Sequence, residues 1–195
     1  MLYEKAMESA ITVIKNKKNI LPINKLQKTK IAYVNFGDES GDSFLKYLNK
    51  YTKVDWVKAN NLDSYIDKLD KYDYVIMGFH KSNDHPWKPY KIDDKELVWM
   101  YEIARTNKVI LDIFTRPYAL LDVKTTANFE GIIVSYQNSD VAQQLSAQLI
   151  FGAREGKGIL PVSLGEEFPV NTSVKTQSLK RLQYGTPESV GLNST

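Results

Sequence analysis

The chain has 195 residues, 43% hydrophobic and 25% charged, with a formal net charge of +3 and no cysteine. That length fits one domain and buries roughly 70% of the unfolded surface. Disulfides, thiolate metal sites and cysteine nucleophiles are excluded. The charge is too small to argue a nucleic-acid partner, and no apolar run reaches the roughly 18 residues of a membrane span. The first residues, Met1-Leu-Tyr-Glu-Lys5, carry acid early and lack the apolar stretch of a signal peptide.

Positions 1 to 16 read as a helix, with Leu2, Ala6, Ala10 and Val13 on one face. Asn16 to Asn19 ends it, and Ile20-Leu-Pro-Ile23 follows in extended form because Pro22 forbids helix. Lys15, Lys17, Lys18, Lys25, Lys28 and Lys30 cluster with no acid among them. They read as a solvated helix end and loop rather than a phosphate-binding patch.

Lys30-Ile-Ala-Tyr-Val-Asn-Phe36 is a strand that stops at Gly37-Asp38, and Phe44, Leu45, Leu48 and Tyr51 mark a helix. Val54-Asp-Trp-Val57 is a short strand. Leu62, Tyr65, Ile66 and Leu69 then recur at helical spacing, with Asn60 or Asn61 as cap. Tyr72 to Phe79 is a strong strand, and the polar stretch His80 to Ile92, with three aromatic or proline positions at Pro86, Trp87 and Pro89, is a loop. Asp93 followed by Glu96 predicts a capping-box start to a helix reaching about Arg105. Lys108 to Phe114 and Gly131 to Tyr136 are further strands. Ser139 caps a last helix through Val141, Leu145 and Leu149, which Gly152 stops.

Strands alternating with helices predict an α/β fold, a three-layer α/β/α sandwich whose mostly parallel sheet is flavodoxin-like in outline. The domain spans 1–170. After Leu164 the chain turns polar and packs at points such as Phe168 and Leu179, and residues 171–195 read as a tail or linker toward a possible downstream domain.

In open α/β sheets ligands sit beyond the carboxyl ends of the strands. That rule selects Asp38, His80, Asn83, Arg116, Gln137 and Asn138 as candidate cleft- or interdomain-facing residues, with Trp87 on the loop as a stacking surface. His80 and His85 flank Asp84, but no third metal ligand is evident, so no metal site is expected. The turn Asn35 to Gly41 lacks both phosphate-loop glycine patterns, so no nucleotide cofactor is expected. A glycosidase needs two positioned carboxyl groups, and the acids here are scattered. There is no G-x-S-x-G elbow either. From the residues alone, catalysis is unsupported.

Two separated segments carry a resemblance. The first holds Lys15-Asn16 and Leu21-Pro22; the second holds Val134-Ser-Tyr-Gln-Asn138, Phe151-Gly152, Gly158 and Leu160-Pro161-Val162. In this order they resemble the C-terminal domain of family 3 glycoside hydrolases, in its bacterial β-N-acetylhexosaminidase branch, over about residues 1 to 170. The resemblance implies a parent with a (β/α)8 catalytic barrel N-terminal to this domain. That barrel, its aspartate nucleophile and the His–Asp dyad of the branch are not in this chain, and no glutamate here can be matched to the acid/base of the β-glucosidase branch. It therefore implies an accessory domain that braces the barrel and lines its cleft, in an enzyme exported to the periplasm or cell exterior. The tail from Tyr184 to Ser194 resembles the lead-in to a serine β-lactamase-like domain. Neither a nucleic-acid nor a membrane partner is expected. The alternatives are a free-standing flavodoxin-like ligand-binding module and a hydrolase in its own right.

Overall fold

A computed structural model describes residues 2–85 and 87–184. The tail read as leading into a β-lactamase-like domain lies almost wholly outside them, from residue 185 on. Six strands form one sheet: β1 (Thr12–Asn16), β2 (Ile31–Gly37), β3 (Val54–Trp56), β4 (Tyr74–His80), β5 (Val109–Phe114) and β6 (Phe129–Val134). Their order is β1-β6-β5-β4-β2-β3, parallel throughout except for β1 against β6. The five parallel strands thus take the doubly wound order of flavodoxin.

The apolar runs form strands because both faces of the sheet are covered. Every residue of β5 is buried. On one face lie α1 (Leu2–Ala10), α2 (Asp42–Leu48) and α5 (Asp140–Ile150). They enclose Tyr33, Phe44, Ile76, Ile110, Phe114 and Phe151 among others. On the other face α3 (Leu62–Leu69) and α4 (Asp94–Thr106) pack together over Val34, Met77, Phe79 and Leu111. This is the expected α/β/α sandwich.

The caps follow the side chains. Asn61 accepts from the Ser64 amide at 2.9 Å, and Ser139 from the Ala142 amide at 3.2 Å. Asp93 accepts from the Lys95 amide at 2.9 Å, but Glu96 does not return to close a capping box. Its carboxylate instead accepts from the Gly37 amide at 2.7 Å, at the end of β2.

The first sixteen residues correct the single-helix reading. The helix stops at Ala10, and Thr12 to Asn16 becomes an edge strand with Ile11, Val13 and Ile14 buried. β-branched residues in succession pack better on a pleated surface than on a helix. Lys15 accordingly is no helix-end cation: its ammonium donates to the Thr126 carbonyl at 2.7 Å and lies 3.5 Å from Glu167.

The two separated segments interlock. The Asn16 amide group grips the Leu21 backbone, donating to its carbonyl at 2.9 Å and accepting from its N–H at 2.8 Å. That turn delivers Leu21 and Ile23 into the core, and the Ile23 amide donates to the Ile150 carbonyl at the end of α5. Gly152 takes the expected left-handed conformation at φ +74°, and the Gly158 amide donates to the Ile11 carbonyl at 3.2 Å. Residues 171–184 lie along this seam. Val174 donates to the Val13 carbonyl at 2.8 Å, Leu179 to the Gly152 carbonyl at 2.7 Å, and Thr176 is buried.

Candidate functional site

The strand order reverses between β2 and β4, so Gly37 and His80 mark the switch point where doubly wound folds bind ligands. His80 closes β4 and is fully buried, its ring stacked on Phe114 at 4.4 Å and 11° and set against Phe44. The Nδ1–H donates to Asn138 Oδ1 at 2.7 Å, and that oxygen also accepts from the Gln143 amide at 2.8 Å. Nε2 faces the Tyr33 hydroxyl at 2.8 Å. The same hydroxyl stands 2.7 Å from Asn35 Oδ1, so one phenol proton serves two acceptors.

Burial pushes the His80 imidazole down to about 4, against a smaller upward pull from its hydrogen bond to Asn138. The ring is therefore neutral at pH 7. Burial, aided by the charges of Asp112 and Asp42, pushes the Tyr33 phenol far up, so it stays protonated. Asp112, in the middle of β5, is also wholly buried. Burial raises its carboxyl to about 7, opposed by hydrogen bonds from the hydroxyls of Ser146 and Ser135.

Above this buried cluster lies a polar cleft of about 240 Å³, lined by Glu39, Ser82, Asn83, Asp84, Gln137 and Asn138, with Ser139. Asn83 accepts from the Asn138 amide at 2.7 Å, tying the loop after β4 to the loop after β6. Gln137 receives the Tyr3 hydroxyl at 2.6 Å, which brings α1 to the rim. Asp38 is held by Lys81 at 3.1 Å. The structure thus gathers His80, Asn83, Gln137 and Asn138 into one place, with Asp38 beside them.

Two expected residues are tied elsewhere. Trp87 is 79% exposed and stacks on His85 at 5.2 Å. Arg116 lies 5.5 Å over the Tyr90 ring, which neighbours Tyr118. Tyr33, Asp112 and Gln143 escaped the sequence reading. Asp112 had a signal, an acid in the centre of an apolar strand. Tyr33 had none, because a tyrosine in a strand is ordinary core.

The position where a doubly wound fold would cradle a phosphate is taken. The Gly37 amide is satisfied by the Glu96 carboxylate, and the Glu39 amide by the His80 carbonyl. A carboxylate already stands where an anion would sit, and it repels a second. Glu96→Gln weakens a charge-assisted hydrogen bond that fastens α4 to the end of β2. We expect a loss of about 1 kcal/mol in urea unfolding, with faster hydrogen exchange at the Gly37 amide. Unchanged exchange at Gly37 would show that Glu96 is not what protects it.

Fold and site together define a doubly wound α/β domain whose switch point is sealed by its own side chains. The same fold occurs as one part of glycoside hydrolases of family 3. A fungal multi-domain family 3 β-N-acetylglucosaminidase superposes with TM-score 0.67 at 21% identity, over 89% of this chain and 19% of that one. A β-glucoside phosphorylase gives TM-score 0.67 at 21% identity, over 83% and 31%. A family 3 β-N-acetylglucosaminidase from a Paenibacillus species gives 0.61 at 14% identity, over 89% and 33%. The chain therefore spans between a fifth and a third of the length of these solved chains. No protein-family model matches the sequence, and no curated protein does.

Proposed function

We propose that this domain is the non-catalytic accessory part of a family 3 glycoside hydrolase, a bacterial, exported β-N-acetylglucosaminidase, and that it braces the catalytic barrel and walls its substrate cleft. The observation that carries this reading is the fold shared with one segment of those enzymes, over 80% or more of this chain. The interlocked segments supply a second support. Asn16, Leu21, Gly152 and Gly158, four of the residues that carry the family resemblance, serve packing at one seam rather than chemistry.

Three carboxylates near the strand ends are already engaged. Glu96 holds Gly37, Asp38 holds Lys81, and Asp84 accepts from Ser82. That arrangement suits a wall better than an acid/base pair, which needs one free carboxylate and one free acid. The cleft of amides, hydroxyls and carboxylates around Asn83, Gln137 and Asn138 offers hydrogen bonds to sugar hydroxyls once a barrel faces it.

The test is to mix the domain with its separately expressed barrel. Binding stabilises the barrel by about 2.7 kcal/mol when the domain is present at 100 times its dissociation constant. We expect a higher barrel melting temperature and faster hydrolysis of a chromogenic N-acetylglucosaminide. A barrel that neither binds the domain nor changes its melting or turnover overturns the proposal.

A further inference from the structure

A second feature lies at the opposite pole, where the parallel strands begin. An open groove of about 950 Å³ is lined by Lys25, Lys28, Lys50, Lys180 and Arg181, with Leu26, Gln27, Leu182 and two tyrosines completing it. Five cations and no acid, among the described residues, face one concavity. Among the described residues, none of the five is in an ion pair. The neighbouring groove shares Leu26 and Gln27 and adds Lys30, Lys53 and Lys71 against a single acid, Asp55. The strand-end cleft has the reverse character, with Glu39 and Asp84 and no cation. A net charge of +3 therefore conceals a concentration of cations at this pole.

The groove has built walls. Lys25 and Lys180 both stand on left-handed backbone, at φ 52° and 55°, an uncommon conformation for a residue with a side chain, which four others of this chain share. The Tyr51 hydroxyl donates to the Leu182 carbonyl at 2.9 Å and the Tyr184 hydroxyl to the Lys50 carbonyl at 3.2 Å. The Arg181 guanidinium donates to the Ile23 carbonyl at 3.1 Å. These bonds fix one wall, residues 180–184, against the other. Like charges held this close repel unless an anion lies among them.

We propose that this groove binds an acidic polysaccharide, a glycan bearing a carboxylate or other anionic group at regular intervals. Single-stranded nucleic acid fits less well, since it needs free aromatic faces for its bases. Here the Tyr184 ring carries the Lys50 ammonium at 4.6 Å and meets Tyr51 edge-on. An anionic bilayer fits less well too, because the cations surround a concavity rather than form a plane. The charge argument stands on the groove alone. The choice of a glycan rests on reading the domain as part of a glycoside hydrolase.

The experiment titrates the full chain with a short oligogalacturonide by calorimetry, beside a neutral chito-oligosaccharide, a single-stranded oligonucleotide and phosphatidylglycerol vesicles. We expect binding to the oligogalacturonide and none to the neutral sugar, weakened on the order of 100-fold from roughly 50 to roughly 200 mM salt. The triple variant Lys25→Gln, Lys28→Gln, Lys50→Gln should weaken it about tenfold or more, all three side chains being exposed, with an unchanged melting temperature as the check that the fold is kept. The triple variant Lys91→Gln, Lys124→Gln, Lys175→Gln, equal in charge and elsewhere on the surface, should change it little. No oligogalacturonide binding, tighter binding to the oligonucleotide or vesicles, or equal losses in the two triple variants each overturn the proposal. None of these outcomes bears on the barrel-mixing test, so the two readings fail separately.

Discussion

Replacing Asp112 by asparagine should make the domain gain stability over the unsubstituted protein as pH rises from 4 to 6.5, by about 3 kcal/mol. In the unfolded chain this carboxyl loses its proton near 3.8; in the folded domain it keeps the proton to about 7. Between those values the folded state holds the extra proton, and stability falls as pH rises. Asparagine has no proton to lose, so that fall is absent. It can still exchange hydrogen bonds with Ser135 and Ser146.

His80 works in the opposite sense. Its ring takes up a proton near 6.5 when unfolded and only near 4 when folded, so the unfolded state holds the extra proton in between. Its contribution is present above 6.5 and is lost as pH falls toward 4. His80→Asn removes the stacking on Phe114 and destabilises the domain at pH 7. The deficit should then narrow by about 3 kcal/mol on acidification to pH 4. In the unsubstituted protein the two slopes oppose each other between pH 4 and 6.5 and largely cancel. Urea titrations of the three proteins at several pH values check this. Differences from the parent that stay constant with pH would mean that neither group changes its proton affinity on folding.

Gly158→Ala should be strongly destabilising for a single added methyl. The Gly158 backbone passes directly over the junction of α1 and β1. A Cβ there would lie inside van der Waals contact of the Ala10 and Ile11 carbonyls and the Thr12 hydroxyl. Those carbonyls cannot move aside, because they belong to the backbone that starts the edge strand. The Thr12 hydroxyl is committed as well, donating to the Ala10 carbonyl at 2.7 Å and lying 2.9 Å from Tyr136. The seam must open, and the loss should be about 3 kcal/mol. Gly165→Ala is the comparison: unlike Gly158 it has positive φ, at 77°, but nothing lies within 4 Å of the added methyl. Its cost should be about 1 kcal/mol, from backbone conformation alone. Similar losses at the two positions in thermal unfolding would refute the steric account.

Much of the fold was legible because burial on both faces leaves an unambiguous signature. Tyr74 to His80 and Val109 to Phe114 are near-continuous apolar runs, and the spacing of Leu62, Tyr65, Ile66 and Leu69 admits only a helix. Thr12 to Asn16 misled because Leu2, Ala6, Ala10 and Val13 keep helical spacing across a change of structure. The edge strand exists only because β6, far along the chain, offers it a partner. The site was half legible. The strand-end rule found His80, Asn83 and Asn138, which do meet. It could not find Tyr33 or Gln143, because their polar ends matter only once another element is laid over them. Nor could it show that Glu96 leaves its own helix to hold Gly37. The basic groove was half visible: Lys25 and Lys28 stood out in a lysine cluster read as solvated, but Lys28 and Lys180 become neighbours only through the return of residues 180–184.

The pairing of β1 with β6 sets an order of events. Thr12 lies opposite Val134, so the first strand of the chain cannot join the sheet until the last has been made. A ribosome delivers residues from the N-terminus at about 5–20 per second, and contacts between distant parts of a chain form late. Ile11, Val13, Ile14, Leu21 and Ile23, all buried at the end, therefore wait several seconds with apolar surface in water. The opening segment's docking against α5, where the Ile23 amide meets the Ile150 carbonyl, is therefore expected late in folding.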